Sequence, residues 1–300
     1  MGMPTFIIIG APRAGTTSIY YYLKQHPEIF MSPTKETNLF EYKANGKTQI
    51  ACHKREKRYP IRNLESYQAL FQGVSTEKAV GEASPGYLAH PQTPAQIHRY
   101  LPNIKLIGIL RNPAERAYSS YLHHFRRNME SGSFSQAIRD EDQGVREGQG
   151  YRERKYISTG FYFKHLSRYL EFFDRSQMGI YLFEDLKNND EGLMQKIFRH
   201  LVVDDRFIPD MSVRYNVSGI PKNNMLNSLL SPGHTTAMLK RILPDVILKP
   251  VYRYFMNTKN RNLDRPVLSP EMRQELIGKY RSDILRLEPL IERDLSMWLA

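Results

Sequence analysis

Short apolar runs alternate along this chain with stretches in which apolar residues recur at the spacing of an amphipathic helix. The predicted strands are residues 6–9, 79–81 with their neighbours, 105–110 and 178–183, and the predicted helices include residues 16–25, 93–101, 113–127 and 161–173. Continuous apolar runs bounded by turns are typical of parallel strands that are buried on both faces. The alternation therefore predicts an α/β fold, a three-layer sandwich in which helices cover both faces of a central parallel sheet.

The last third of the chain, residues 222–300, carries helical patterns without further long apolar runs. These patterns are interrupted by Pro232, Pro244, Pro250 and Pro266. Pro270 lies where a final helix is predicted to begin, a position at which its missing N–H does no harm. Because no linker separates this part from the strands, and 300 residues suit one large α/β domain, we predict a single domain over residues 1–300 with a helical last third.

The residues that follow each strand are the candidates for a site, because ligands of parallel sheets bind beyond the carboxyl ends of the strands. The first predicted strand leads into Gly-Ala-Pro-Arg-Ala-Gly-Thr-Thr-Ser, from Gly10 to Ser18. Backbone N–H groups of such a loop, and of the helix after it, converge on an anion, and Arg13 adds a planar fork of donors. Hydroxyl donors come from Thr16, Thr17 and Ser18. The loop lacks the lysine of a nucleotide-binding phosphate loop, and an ordinary strand-to-helix turn is the alternative.

A second possible anion clamp follows the third predicted strand. Arg111 stands at the strand end, Pro113 opens a helix, and Ser119 lies about two turns into that helix, where it could approach the same point. An arginine that merely pairs with a nearby acid is the alternative. Two anion sites at neighbouring strand ends indicate one ligand with two separated anionic groups.

Two acidic segments also follow strands or helices. Glu184 and Asp185 come after the fourth apolar run and could hold Mg²⁺, although an acidic start of the next helix is the stronger interpretation because the loop lacks its lysine. Glu36 is predicted to lie in a loop that returns over the phosphate loop. A carboxylate there could take a proton from a substrate hydroxyl, whereas a solvated loop residue is the alternative.

The net charge of +12 favours anionic partners, and much of it lies in residues 43–62. This basic segment carries one acid, Glu56, and seven cations: Lys43, Lys47, Lys54, Arg55, Lys57, Arg58 and Arg62. Since Tyr59 is the one aromatic residue near its core, we expect no nucleic-acid partner.

A single cysteine, Cys52, excludes an internal disulfide and predicts a cytoplasmic protein. No signal peptide and no transmembrane segment is expected.

Together these segments resemble sulfotransferases that use 3′-phosphoadenylyl sulfate (PAPS). Residues 10–17 are similar to the 5′-phosphosulfate loop of that family, and Arg111-Asn-Pro with Ser119 to its 3′-phosphate motif. Residues 35–40 (Lys-Glu-Thr-Asn-Leu-Phe) and 81–87 (Gly-Glu-Ala-Ser-Pro-Gly-Tyr) are similar to two segments of the heparan-sulfate-type branch. Residues 218–222 (Ser-Gly-Ile-Pro-Lys) resemble the late basic loop of the family, and residues 268–299 resemble the terminal helix of its bacterial members. The resemblance covers residues 5–299 and implies a P-loop-like fold.

The resemblance implies a role for each matching residue. Arg13 would contact the 5′-phosphosulfate and help to neutralise the leaving group. Arg111 and Ser119 would hold the 3′-phosphate. Lys222 would close over the nucleotide, and Tyr162 would lie near it. The other contacts to the phosphosulfate would come from Ala14, Gly15, Thr16, Thr17 and Ser18.

The implied reaction moves a sulfonyl group from PAPS to a hydroxyl or amine of an acceptor and releases adenosine 3′,5′-bisphosphate, with no metal. Glu36 would be the general base. If Glu36 were not the base, Glu82, His123 and His124 would be the next candidates, and for the two histidines a solvent-facing helix surface is the alternative.

Two other function classes stay open at this point. A P-loop kinase or NTPase would need ATP and Mg²⁺, and a non-catalytic protein on the same fold would bind polyanions through its basic segment. By analogy with the family, residues 43–62 and 84–90 border the acceptor, which favours an acidic glycan or small metabolite, although a basic surface without a partner fits equally. The missing membrane anchor favours a bacterial enzyme.

Overall fold

The computed structural model describes residues 2–44, 59–145, 155–213, 215, 219–223, 253–258, 260–264 and 266–300. The strands, in chain order, are β1 (Phe6–Gly10), β2 (Ile29–Met31), β3 (Ala79–Ala83), β4 (Lys105–Leu110), β5 (Met178–Leu182), β6 (Ile220–Pro221) and β7 (Leu263–Asp264). The α-helices of the described part of the chain include α1 (Thr16–Leu23), α2 (Leu39–Ala44), α3 (Leu64–Ala69), α4 (Thr93–Tyr100), α5 (Pro113–Arg126), α6 (Phe134–Asp142), α7 (Tyr162–Leu170), α8 (Phe183–Asn188), α9 (Asp190–Leu201) and α10 (Pro270–Ile291).

Five strands form one parallel sheet in the order β2-β3-β1-β4-β5. The central strand β1 is buried along its whole length, as its unbroken apolar run requires. Both neighbours of β1, strands β3 and β4, are also buried nearly throughout. The predicted α/β fold with a central parallel sheet is confirmed.

Helices cover both faces of this sheet. The connection from β1 to β2 crosses the sheet in one direction, and those from β3 to β4 and from β4 to β5 run in the other. Because such crossovers are right-handed, α1 lies on one face and α4 and α5 lie on the opposite face. His26, just after α1, packs its ring 4.7 Å from that of Phe198 in α9, so α9 shares the face of α1.

The connections that follow the neighbouring strands β1 and β4 leave in opposite directions across the sheet, which defines where a ligand would bind. The carboxyl ends of β3, β1 and β4 lie side by side, and the connections after β1 and β4 leave toward opposite faces. In open α/β sheets this switch point forms the binding crevice. The loop after β1 and the turn after β4, both selected from the sequence, therefore meet at one place.

Three local predictions differ from the structure. Strand β2 went unpredicted because three residues at a sheet edge are too few to show a pattern. The strand predicted over residues 178–183 ends at Leu182, since Phe183 begins α8. Strand β7 lies in the part predicted to be helical, and it pairs antiparallel with β6, which lies just before that part.

The last third packs onto the sheet domain mainly through α10, which lies against α5 and α7. Leu276 and Tyr280 of α10 are buried, and buried Trp298, which follows α10, has its ring centre 6.0 Å from that of Tyr162 in α7. Residues 224–252, with Pro232, Pro244 and Pro250, lie outside the described residues, as does most of the basic segment, residues 45–58. None of the helices in the described part of the chain has both the length and the hydrophobicity that crossing a membrane requires.

Candidate anion-binding site at the strand ends

The loop between β1 and α1 is a tight turn whose geometry requires glycine. Gly15 precedes α1 with φ of 86°, and a Cβ there would lie 2.6 Å from Cδ2 of Leu186. Since Gly15 has no side chain that could cap α1, the amino end of this helix keeps backbone N–H donors for an anion. The N–H of Ala11 donates to Ile109 O at 2.8 Å and ties the loop to β4.

Arg13 joins the loop to the helix that follows β4. Its Nε donates to Ser119 Oγ at 3.2 Å, and its Nη1 lies 3.5 Å from Nδ1 of His123, one turn further along α5. Burial and the nearby charges of Arg126 and Arg111 lower the pKa of Arg13 to about 10, and Glu36 opposes that shift. Arg13 thus stays cationic at neutral pH, and a bound anion would raise its pKa again.

Arg111 lies directly beside Arg13. Its Nη1 donates to the backbone oxygen of Arg13 at 3.3 Å, and its guanidinium stands 5.0 Å from the ring centre of Phe183. Burial is the main cause that lowers the pKa of Arg111. The hydroxyl of Tyr162, which is fully buried, donates to Arg111 O at 2.9 Å and fixes the backbone of the clamp.

The alternative pairing of Arg111 with an acid is also present. Arg111 Nη2 lies 3.6 Å from Oε2 of Glu115. The same carboxylate pairs with Arg273 of α10, so its charge is shared between two guanidinium groups. The first contact could have been predicted, because Glu115 lies in the first turn of α5, only four residues after Arg111. Nothing in the sequence pattern could have predicted Arg273.

The remaining predicted loop residues lie at the start of α1. Ala14, Thr16 and Ser18 are buried, and Thr17 is half-buried. Ser18 Oγ accepts the backbone N–H of Tyr215 at 3.2 Å, so the hydroxyl predicted to hold the ligand also holds a later segment over α1. Lys222, just after β6, is exposed, and β6 lies against α5, the helix that carries Ser119.

Glu36 lies in the loop between β2 and α2, at the end of β3. Its backbone N–H donates to Ala83 O at 2.8 Å, and its φ of 61° is in the left-handed region. Its side chain is 57% exposed and pairs with Lys35 Nζ at 2.7 Å. The carboxylate is therefore open to solvent and close enough to Arg13 to influence the pKa of that residue.

The three alternative bases have different surroundings. Glu82 is fully buried and accepts hydrogen bonds from Thr37, Ser84 and Tyr67, so no acceptor can reach it. Burial, followed by the charge of Arg13, lowers the pKa of His123 to about 3, which leaves it neutral and weakly basic. The ring of His124 lies edge-on to that of Tyr156, with the ring centres 5.7 Å apart.

The acids after β5 are engaged in structural contacts. Both oxygens of Asp185 accept from Arg293, each at 2.8 Å, and Glu184 Oε1 accepts the indole N–H of Trp298 at 3.3 Å. Asp185 lies in the first turn of α8, where a carboxylate is favoured. Within the described residues, no group of three or more His, Cys, Asp and Glu is arranged to hold a metal ion.

Comparison with known proteins gives consistent results. A family model described as "Sulfotransferase family" matches residues 4–206. Membrane-associated sulfotransferase kil1 of Dictyostelium discoideum is 39% identical over 124 residues, which cover 41% of this chain and 23% of that protein. Human carbohydrate sulfotransferase 15 is 29% identical over 248 residues, which cover 66% of this chain and 44% of that protein. The chain thus spans less than half the length of these relatives.

A solved structure extends the likeness to the whole chain. The crystal structure of a sulfotransferase from Alicyclobacillus acidocaldarius superimposes with a TM-score of 0.76 at 29% identity and covers 100% of both chains. The match therefore includes the last third of the chain, beyond the 4–206 range of the family model.

Proposed function

Since the chain belongs to the sulfotransferase family, whose model matches residues 4–206, we propose that it moves a sulfonyl group from PAPS to a hydroxyl or amine of a carbohydrate acceptor. The observation that carries the choice of donor is the contact of Arg13 with Ser119, together with that of Arg111 with the Arg13 backbone. Two anion-binding motifs meet in one cluster of largely buried cations, which suits a ligand that carries two phosphate groups.

The charge of this cluster supports the same donor. Burial lowers the pKa values of both Arg13 and Arg111, because it removes water from each charged guanidinium group. A bound anion would offset this loss of solvation. Arginine presents a planar fork that matches phosphate and sulfonate oxygens. PAPS supplies the activated sulfonyl group, and Arg13 with the N–H groups of the loop would bind its phosphosulfate.

In the proposed reaction, Glu36 takes the proton of the acceptor hydroxyl while the acceptor oxygen forms a bond to sulfur. The bond between sulfur and the bridging phosphate oxygen breaks, and the electron pair stays on the departing adenosine 3′,5′-bisphosphate. Arg13 and the loop N–H groups stabilise that developing charge, a type of contribution typically worth about 3–4 kcal/mol per donor. Arg111 and Ser119 hold the 3′-phosphate and keep the donor in line.

We propose an acidic glycan as the acceptor. The basic segment, residues 43–62, supports this choice through its charge, and the name of the human relative, carbohydrate sulfotransferase 15, supports the chemical class. The general base would meet this acceptor in the exposed loop of Glu36. A cytoplasmic location is also proposed, from the lone Cys52, and cell fractionation tests it.

Calorimetric titration tests the donor site, with adenosine 3′,5′-bisphosphate as ligand and ATP with Mg²⁺ as the comparison. We expect micromolar binding of the bisphosphate and much weaker binding of ATP. Strong ATP binding without bisphosphate binding would overturn the proposed donor. Transfer of radiolabelled sulfonate from PAPS to a uronic-acid glycan, compared with its neutral, carboxyl-reduced form, then tests the acceptor, and equal rates on both would reject an acidic one.

A further inference from the structure

Glu82 is a buried carboxyl group that the proposed mechanism does not use. It lies at the end of β3 and has no exposed surface. Its Oε2 accepts the hydroxyl of Thr37 at 2.9 Å and that of Ser84 at 2.8 Å, and its Oε1 accepts the hydroxyl of Tyr67 at 3.2 Å. Burying a carboxyl group is costly unless hydrogen bonds satisfy it. A buried carboxyl group that accepts three hydrogen bonds therefore holds the segments that carry the three donors in place.

Two of the three donors hold the loop that carries Glu36. Thr37 is the residue directly after Glu36. Ser84 Oγ, which donates to Glu82, also accepts the backbone N–H of Asn38 at 3.2 Å. Tyr87 extends this network, because its hydroxyl lies 3.3 Å from Thr37 Oγ1 and accepts the N–H of Phe40 at 3.2 Å.

The loop needs such anchors because its backbone is held in an unfavourable conformation. Glu36 and Asn38 both have positive φ, 61° and 51°, a region that residues other than glycine rarely occupy. The Glu36 side chain pairs with its neighbour Lys35 and is mostly exposed, so the position of its carboxylate depends on the backbone that Thr37 and Asn38 fix.

We propose that Glu82 is a positioning residue that acts through Thr37 and Ser84 to hold Glu36 beside the acceptor. The inference rests on the proposed function, in which Glu36 is the general base. Glu82 contacts neither donor nor acceptor, and its effect on turnover passes through the loop of residues 36–38. Misplacement of a reacting group by about 1 Å can cost roughly 100-fold in rate, so the anchor matters to the chemistry.

The test compares two variants that each remove one donor to Glu82. Thr37→Val removes the hydroxyl that belongs to the Glu36 loop, and Tyr67→Phe removes one from α3, outside that loop. We expect Thr37→Val to lower kcat roughly 10- to 100-fold with unchanged affinity for adenosine 3′,5′-bisphosphate, and Tyr67→Phe to keep kcat within about twofold. Thr37→Ser keeps the hydroxyl and should restore kcat, and Ser84→Ala gives a second way to weaken the anchor if Thr37→Val does not fold.

A double-mutant cycle separates positioning from a general loss of structure. In a Glu36→Gln background, Thr37→Val should have no further effect on kcat, because the residue being positioned is already inactive. Equal losses in both backgrounds, or equal losses in Thr37→Val and Tyr67→Phe, would overturn the inference while leaving the proposed function intact. If Glu36→Gln alone left kcat unchanged, the role of Glu36 would fail and this inference with it, whereas bisphosphate binding would still test the donor site separately.

Discussion

The donor-side cluster of Arg13, Arg111 and Ser119 and the loop of Glu36 lie at neighbouring strand ends but are constructed differently. In the cluster, the two guanidinium groups are largely buried, and they contact the hydroxyl of Ser119 and the backbone oxygen of Arg13. In the loop, the carboxylate is exposed, and the buried part is the network around Glu82 that supports its backbone. We therefore expect donor binding to depend on the charge of a few side chains, and the proposed base to depend on backbone position.

This difference leads to separable expectations. Changes in the arginine cluster should alter the affinity for the nucleotide and its dependence on salt, because they alter charge. Changes in the Glu36 loop should alter turnover while leaving nucleotide affinity intact, because they alter the position or identity of one carboxylate. A variant that moves both quantities together would contradict the division.

The largest effect is expected for Glu36→Gln. The amide cannot accept the acceptor proton, so kcat should fall roughly 10²-fold or more, while the affinity for adenosine 3′,5′-bisphosphate changes less than about twofold. Steady-state kinetics and calorimetry on the same preparation measure the two quantities. Glu65→Gln, an exposed glutamate in the first turn of α3, is the matched control and should leave both unchanged. Full turnover in Glu36→Gln would reject Glu36 as the base.

The second effect, on the opposite side of the comparison, is expected for Arg111→Ala. In the proposed site Arg111 donates to the 3′-phosphate, so its loss should weaken bisphosphate binding roughly 10- to 100-fold, consistent with the usual worth of hydrogen bonds to charged groups. Arg62→Ala removes the same charge from the basic segment near the acceptor side, where Arg62 is exposed, and should leave that affinity unchanged. Similar losses in both variants would mean that net charge alone, and not the clamp, binds the nucleotide.

The two regions also differ in how far sequence could predict them. The turn after β1 and the Arg111–Ser119 spacing are local patterns, and a parallel sheet brings adjacent strand ends together, so the meeting of Arg13 with Ser119 followed from topology. Glu82 was considered as a base because it follows a strand. Its burial arises from Thr37, 45 positions away, and from Tyr67, and no local pattern encodes such long-range contacts.

A third, smaller effect should follow from Arg273→Gln. Arg273 shares the Glu115 carboxylate with Arg111, so without it Glu115 would neutralise Arg111 more completely and compete with the 3′-phosphate. Because both groups are partly exposed, we expect bisphosphate affinity to fall by no more than about fivefold. Arg281→Gln, an exposed change on the same helix, is the control. Calorimetry that showed tighter binding in Arg273→Gln would contradict this account of Glu115.

The effect that is smallest at neutral pH concerns His123, whose protonation matters only in acid. Its pKa in the folded protein, about 3, lies below the ordinary value of 6.5, so the unfolded chain binds a proton that the folded one does not. The His123 contribution to stability should be complete above pH 6.5 and be lost as pH falls toward 3. We therefore expect the free energy of unfolding of the wild type, relative to His123→Gln, to decrease over this window. Denaturant titrations at several pH values measure that difference.

Bound nucleotide should reduce this pH dependence, and that result would tie His123 to the donor side. Burial and the charge of Arg13 depress the pKa of His123, and an anion bound to Arg13 would offset the second cause. With saturating adenosine 3′,5′-bisphosphate, the difference in free energy of unfolding between wild type and His123→Gln should depend less steeply on pH. The decrease in slope should correspond to a fraction of one bound proton. Phosphate-free buffers are needed, since phosphate would occupy the same cluster. An unaltered pH dependence in the presence of nucleotide would place the bound anion away from Arg13. Arg13 would then not belong to the donor site, which would contradict the proposed division between a charged donor side and a backbone-held acceptor side.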